Sequence, residues 1–282
     1  MVGFLIVDKP KGLTSHDVVA KVRKLLPKGV KVGHTGTLDP LATGILILSV
    51  GKATRLSEYL LKQDKCYTVT GRFGLESDTY DIDGKVKKVE CREIKKEELL
   101  RVLNKFTGKI LQVPPPYSAV RIKGKRAYQL AREGRKVELP PRKVEVYSLE
   151  LIDFNYPYFT LKVCCSSGTY VRSLVHDIGK ELGCSAVVTD LRRTRVGNIG
   201  EEMAVTLDKL EEEGIEGYLI PPQDVLPFPK LEVSDEEKKR FRNGAPIKKE
   251  LPEGKYSIVS GDEFIGVGKA EKGKLRAEKV IS

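Results

Sequence analysis

Apolar and polar positions along the chain change period several times, and the changes mark out elements. Phe4 to Val7 is a continuous apolar run ended by Asp8, which predicts a strand. Val18, Val19, Val22, Leu25 and Leu26 recur at helical spacing after Thr14 or Ser15, either of which can cap the helix, and Pro27 closes it. Ile45 to Leu48 is again continuously apolar and predicts a buried strand. Arg55 to Leu61 reads as a short helix, and Cys66 to Phe73 alternates as a strand does. Leu75 to Gly84, rich in Asp and Gly, predicts a loop or hairpin. Leu99, Leu100, Val102, Leu103 and Phe106 form one face of a helix with Gly108 just past its end. Strand signals fill Tyr147 to Cys165. Val171, Leu174, Val175, Ile178 and Leu182 then predict a helix over 170–182, stopped by Gly183.

Two stretches break this pattern. Prolines bracket residues 114–147, which hold a short helical segment, Tyr128 to Glu133, and read as an inserted lid or finger. Pro221 to Pro229 reads as a proline-rich linker. Beyond it, Ser234 and Glu237 have the spacing of a capping box, and two strand signals, Tyr256 to Ser260 and Phe264 to Ala270, flank Gly261-Asp262. A main domain over 1–228 and a small β domain over 229–282 are therefore expected.

Composition narrows the classes of function. No apolar run reaches the ~18 residues of a membrane span, and the N-terminus lacks a basic leader before Asp8. A cytoplasmic protein without a membrane partner is expected. The five cysteines form no CxxC and there are only three histidines, so neither metal ligation nor a disulfide framework is expected. Four Asn, four Gln, no Trp and 32% charged residues lean toward a thermophilic source. The net charge of +11 is concentrated: nine basic residues and two acidic ones lie between Ala119 and Lys143. A solvated surface loop would carry such a run, but its concentration points to a polyanion, and nucleic acid is the expected partner.

The chemistry centres on Gly33 to Arg55, GHTGTLDPLATGILILSVGKATR. A glycine-rich loop holds one carboxylate, Asp39, at the mouth of an apolar strand, with Pro40 stiffening the turn after it. A surface turn can look the same. A phosphate-binding loop does not, because GHTGTLD lacks a lysine and hydroxyl at the required offset.

This stretch resembles the catalytic motif of the TruB family of tRNA pseudouridine synthases. DKPKGLTSHDVV from Asp8 resembles the family's first motif, DKCYTV from Asp64 its tyrosine motif, and CSSGTYVRSLVHDIG from Cys165 with LRRTRVG from Leu191 its third-motif region. The tail resembles a small RNA-binding PUA domain. The resemblance implies an α+β fold, with a mixed, largely antiparallel central sheet flanked by helices and a C-terminal β-barrel-like domain. It implies a monomeric enzyme that converts uridine 55 in the tRNA T-arm to pseudouridine without cofactor or metal.

It also implies roles. Asp39 is the nucleophile, and Arg172 pairs with it and orients it. Tyr67 stacks on the base and takes part in proton transfer. His34, Tyr170 and Leu191 contact the flipped nucleotide. Within the insert, Arg121, Lys123, Lys125 and Arg126 are the residues expected on the RNA backbone, and the insert resembles the family loop that closes over the RNA arm. Lys9 and Pro10 are expected to buttress the Asp39 loop, and His16 and His176 look incidental. Cys66 stands where the family often has a basic residue, which puts a phosphate contact there in doubt. Two alternatives remain: a guide-RNA-dependent, dyskerin-like synthase, and a non-catalytic tRNA-binding or folding protein.

Overall fold

A computed structural model describes residues 1–122 and 124–281. Within it the chain forms two compact units. One joins residues 1–40 and 44–63 to everything after residue 195, and the other holds residues 41–43 and 64–195.

In the first unit, the predicted N-terminal strand runs Val2–Lys9 and pairs antiparallel with Thr43–Gly51, so that Ile6 faces Ile47. Val205–Thr206 adds a parallel partner to the first strand, and Val32–His34 pairs with the second. Buried side chains on both long strands feed one core. Phe4, Ile6, Ile45 and Ile47 meet Ala53, Leu56 and Leu60 from the turn of 3-10 and α-helix that follows, Lys52–Leu61. The helix Ser15–Lys24 starts at Thr14, whose side chain accepts from Asp17 N while Asp17 accepts from Thr14 N, a reciprocal cap that the sequence signals locally.

The tail is a five-stranded sheet in the order Lys230–Glu232, Gly254–Ser260, Glu263–Glu271, Lys274–Val280, Ile247–Lys248, antiparallel except for its first pair. The expected Ser234–Glu237 box caps the helix Asp235–Arg242 beside it. Val259, Phe264 and Val267 from this sheet, and Ile281 just past it, share the core of the N-terminal strands, and Tyr59 donates to Glu278 at 2.6 Å. The proline-rich segment also differs from a free linker. Pro222–Val225 is a short helix, and Val225 and Leu226 are buried in the same core.

The second unit is built on antiparallel strands. Lys65–Phe73 pairs with Tyr158–Cys165, which pairs with Arg142–Asn155, which pairs with Gly108–Gln112. Ala186–Val196 lies on the other side of Lys65–Phe73. The helices Lys96–Lys105 and Val171–Glu181 belong to this unit, and the Asp- and Gly-rich stretch is a hairpin, Leu75–Ser77 against Val86–Lys88. The fold is thus α+β with mixed, largely antiparallel sheets flanked by helices and a small C-terminal β module, as expected. Among the described residues no helix is long and apolar enough to cross a membrane.

The cysteine expectation needs correction. Cys66 and Cys164 lie directly opposite each other on paired strands and are disulfide-bonded, as are Cys91 and Cys184; Cys165 stays a buried thiol. Partners 98 and 93 residues apart carry no local spacing signal, so counting motifs could not find them.

Candidate active site

In the first unit the Asp39 loop is held at three points, two of them by residues of the N-terminal motif. At its start, Thr35 N donates to Ile47 O at 2.9 Å. In its middle, the buried Ser15 hydroxyl accepts from Leu38 N at 2.8 Å and donates to Leu38 O at 3.0 Å. At its end, Pro40 O accepts from Gly12 N at 2.7 Å. The fully buried Lys9 ammonium donates to Leu13 O at 2.6 Å, Pro10 O at 2.9 Å and Pro40 O at 3.4 Å. A buried charge needs this many acceptors to offset its desolvation. Lys9 therefore reaches the end of the loop at Pro40 O, while Pro10 supplies one of the acceptors that hold the lysine. Gly44, at φ 96°, takes the backbone out of the loop and into the strand in a conformation that favours glycine.

Asp39 itself is half-buried, one residue beyond the doubly held Leu38. His34 ends the strand that leads into the loop, and the exposed His16 sets its ring edge-on to it, with centroids 5.1 Å apart and planes at 79°. His16 thus packs on the histidine for which a substrate contact was expected.

In the second unit, Tyr67 is buried on its strand opposite Val163, and Leu191 is buried on the strand Ala186–Val196. Tyr170 is the first residue before the helix Val171–Glu181, and Gln112 holds its backbone from both sides. Tyr170 N donates to Gln112 Oε1 at 2.7 Å, and Gln112 Nε2 donates to Tyr170 O at 2.9 Å. Ser173 Oγ donates to Val113 O at 2.7 Å, adding a third tie. Gln112 is a residue that no motif pointed to, and Ser173 lies within the third-motif region without a role read for it.

Arg172 is buried, and its guanidinium donates from Nη1 to Thr79 O at 2.9 Å and from Nη2 to Tyr117 O at 3.0 Å. These carbonyls come from the Asp-rich hairpin and from the start of the proline-bracketed insert. The hairpin also carries the buried Asp81, whose Oδ1 accepts from Thr79 Oγ1 at 2.6 Å and from Asp83 N at 3.1 Å. In the sequence Asp81 is one of several turn acids, and only burial distinguishes it.

The insert has a core of its own. Val120, Ala127 and Leu139 are buried together, with Ile122, Val137 and Tyr170 against them. Arg121 and Arg126 stand opposite each other on its small hairpin, Arg121–Ile122 against Lys125–Arg126. Lys125 pairs with Glu133 at 3.5 Å, with both side chains largely exposed. Lys123 lies outside the described residues.

Cys66, in place of a basic residue, has the Arg195 guanidinium beside it, with Nη2 3.0 Å from its sulfur. Next to it Lys65 is buried, and desolvation, aided by Arg193, lowers its pKa to about 8. Burial pushes the Cys165 thiol up to about 11.

Comparison with known proteins matches this arrangement over the whole chain. Residues 23–171 match the TruB family pseudouridylate synthase N-terminal domain, 172–219 the tRNA pseudouridylate synthase B C-terminal domain, and 229–281 the pseudouridine synthase II TruB C-terminal domain. The tRNA pseudouridine synthase B of Aquifex aeolicus is 44% identical, with all of both chains covered. That of Clostridium kluyveri is 41% identical over 95% of each. Among solved structures, a Cbf5-Nop10-Gar1 complex matches with a TM-score of 0.74 at 29% identity, covering 99% of this chain and 84% of that one. An H/ACA RNP bound to a substrate RNA containing 2′-deoxyuridine matches at 0.73 and 28%, covering 99% and 85%. The chain is a member of the TruB family of pseudouridylate synthases.

Proposed function

We propose that the chain isomerises uridine 55 in the T-arm of tRNA, with Asp39 as the nucleophile. The reaction breaks the bond from ribose C1′ to uracil N1 and forms one from C1′ to C5. The C5 proton leaves and N1 regains a proton, so atoms and electrons balance without a redox partner. A covalent bond to Asp39 keeps the cleaved halves together while the base turns. Arg172 orients that carboxylate, with a planar fork that lysine cannot reproduce. The target base lies within a folded arm and must be everted, at a cost of a few kcal/mol. Stacking on Tyr67, worth about 1–3 kcal/mol per base, with contacts from Tyr170, Leu191 and His34, offsets that cost. Tyr67 is also the acceptor for the C5 proton. The basic insert, with Arg121, Lys123, Lys125 and Arg126, grips the RNA backbone.

The observation that carries this reading is the three-point anchoring of the Asp39 loop by Ile47, Ser15 and the Lys9–Gly12 turn. A surface turn has no use for a fully buried lysine beneath it. Relatives named as tRNA pseudouridine synthases support the choice of tRNA over a guided substrate. The likeness to an H/ACA RNP bound to substrate RNA gives the guided reading its specific support. The purified chain, incubated alone with an unmodified tRNA transcript, separates the two. Pseudouridine at position 55 without guide RNA or partner proteins is expected. No product until a guide complex is added would favour the other reading.

A further inference from the structure

Two side chains one turn apart on the helix Val171–Glu181 grip consecutive residues of the Asp-rich hairpin. Arg172 donates to Thr79 O at 2.9 Å. His176, at i+4 on the same helix face, stacks flat on Tyr80, with centroids 3.9 Å apart and planes at 6°. Tyr80 has φ 65°, and no other residue except Lys272 combines a side chain with a positive φ among the described residues. A bulky side chain rarely holds this left-handed conformation unless its surroundings impose it. Here they act from both sides: the ring rests on His176, and the Tyr80 carbonyl accepts from Val188 N at 3.0 Å while Ile82 N donates to Val188 O at 3.0 Å. Burial and Lys180 hold the His176 imidazole below its usual pKa, against a smaller opposing pull from Glu76.

We infer that the Tyr80–His176 stack is a positioning device for Arg172: it holds the strained turn in the one conformation that aims the Thr79 carbonyl at the guanidinium. Arg172 has fixed carbonyl acceptors on Nη1 and Nη2, and the stack secures the first. Without it the turn relaxes to negative φ, the carbonyl swings away, and the guanidinium loses the tether on Nη1. The inference rests on the proposed role of Arg172 in orienting Asp39 and adds a residue on which that role depends.

The test is single-turnover pseudouridine formation on a tRNA transcript, with tRNA affinity and melting temperature measured on the same variants. His176→Ala should slow the chemical step about ten-fold, a modest share of what an ångström of misplacement can cost, and leave affinity within about two-fold. His176→Phe, which can stack but cannot donate a hydrogen bond, should restore the rate to within about three-fold. Because His176 acts through Arg172, adding His176→Ala to Arg172→Lys should slow the reaction no further. A native rate for His176→Ala beside a slow Arg172→Lys overturns the positioning role and leaves Arg172 in place. A double variant whose losses multiply overturns it too, since the histidine would then act independently. A native rate for Arg172→Lys removes the orienting role of the arginine and this inference with it.

Discussion

Ser15→Ala isolates the anchoring of the nucleophile loop with the smallest possible change. It removes one oxygen, leaves no cavity of consequence and alters no charge. The wild-type hydroxyl makes two hydrogen bonds to Leu38, from N at 2.8 Å and to O at 3.0 Å, in a site where Ser15 is 1% and Leu38 3% exposed. Two such bonds contribute about 0.5–1.5 kcal/mol each, and a buried N–H left without a partner costs about 1–3 kcal/mol. Counting the stranded N–H once and the lost bond to the carbonyl once, a total of about 1.5–4.5 kcal/mol is expected. Urea unfolding followed by circular dichroism measures this directly. The same substitution frees the residue before Asp39, so the single-turnover rate should fall about ten-fold or more while tRNA affinity stays near wild type. A loss below about 0.5 kcal/mol together with an unchanged rate would show that the hydroxyl neither holds the loop nor matters to Asp39.

Three further outcomes follow from other parts of the molecule. Neutralising Arg121, Lys123, Lys125 and Arg126 together should flatten the dependence of tRNA affinity on salt by about three to four in log–log slope; an unchanged slope removes the insert as the backbone clamp. Lys65 is driven from its usual 10.5 to about 8 when folded. Its contribution to stability is therefore fully present above pH 10.5, is lost as pH falls toward 8, and stays lost below. Wild type should accordingly gain about 3 kcal/mol on Lys65→Met between pH 8 and 10.5. A flat difference in denaturant titrations across that range would contradict the burial argument. Opening the Cys66–Cys164 and Cys91–Cys184 bridges should cost about 2–4 kcal/mol each, seen as a lower melting temperature in reductant. Equal melting with and without reductant would show that the bridges add nothing in solution.

What could be read from the chain divides by range. The capping pairs Thr14–Asp17 and Ser234–Glu237 are three residues apart, and both helices start where the spacing says. The apolar runs around Ile6 and Ile47 became core strands because nothing else buries such runs. The strand Ala186–Val196 was hidden by its charged half, Leu191 to Arg195, and Gly108–Gln112 by an alternation too short to register. At the candidate site, Asp39, Tyr67 and Arg172 stood out only as members of motifs. Two of the groups that hold Arg172 lie 93 and 55 residues away, at Thr79 and Tyr117, and these two are carbonyls that no side-chain pattern reveals. Gln112 and Asp81 matter through burial, which the sequence does not display. The positive φ at Tyr80 runs against the preference of its own side chain, so no local rule could have placed it.

Asp39→Asn keeps the shape of the loop and the hydrogen bonds at Leu38 and Pro40 while abolishing the nucleophile. Measured for tRNA affinity and for pseudouridine formation in parallel, this variant should bind as wild type does and yield no product even after prolonged incubation. Pseudouridine at position 55 formed by Asp39→Asn at more than a trace of the native rate would contradict covalent catalysis by this residue.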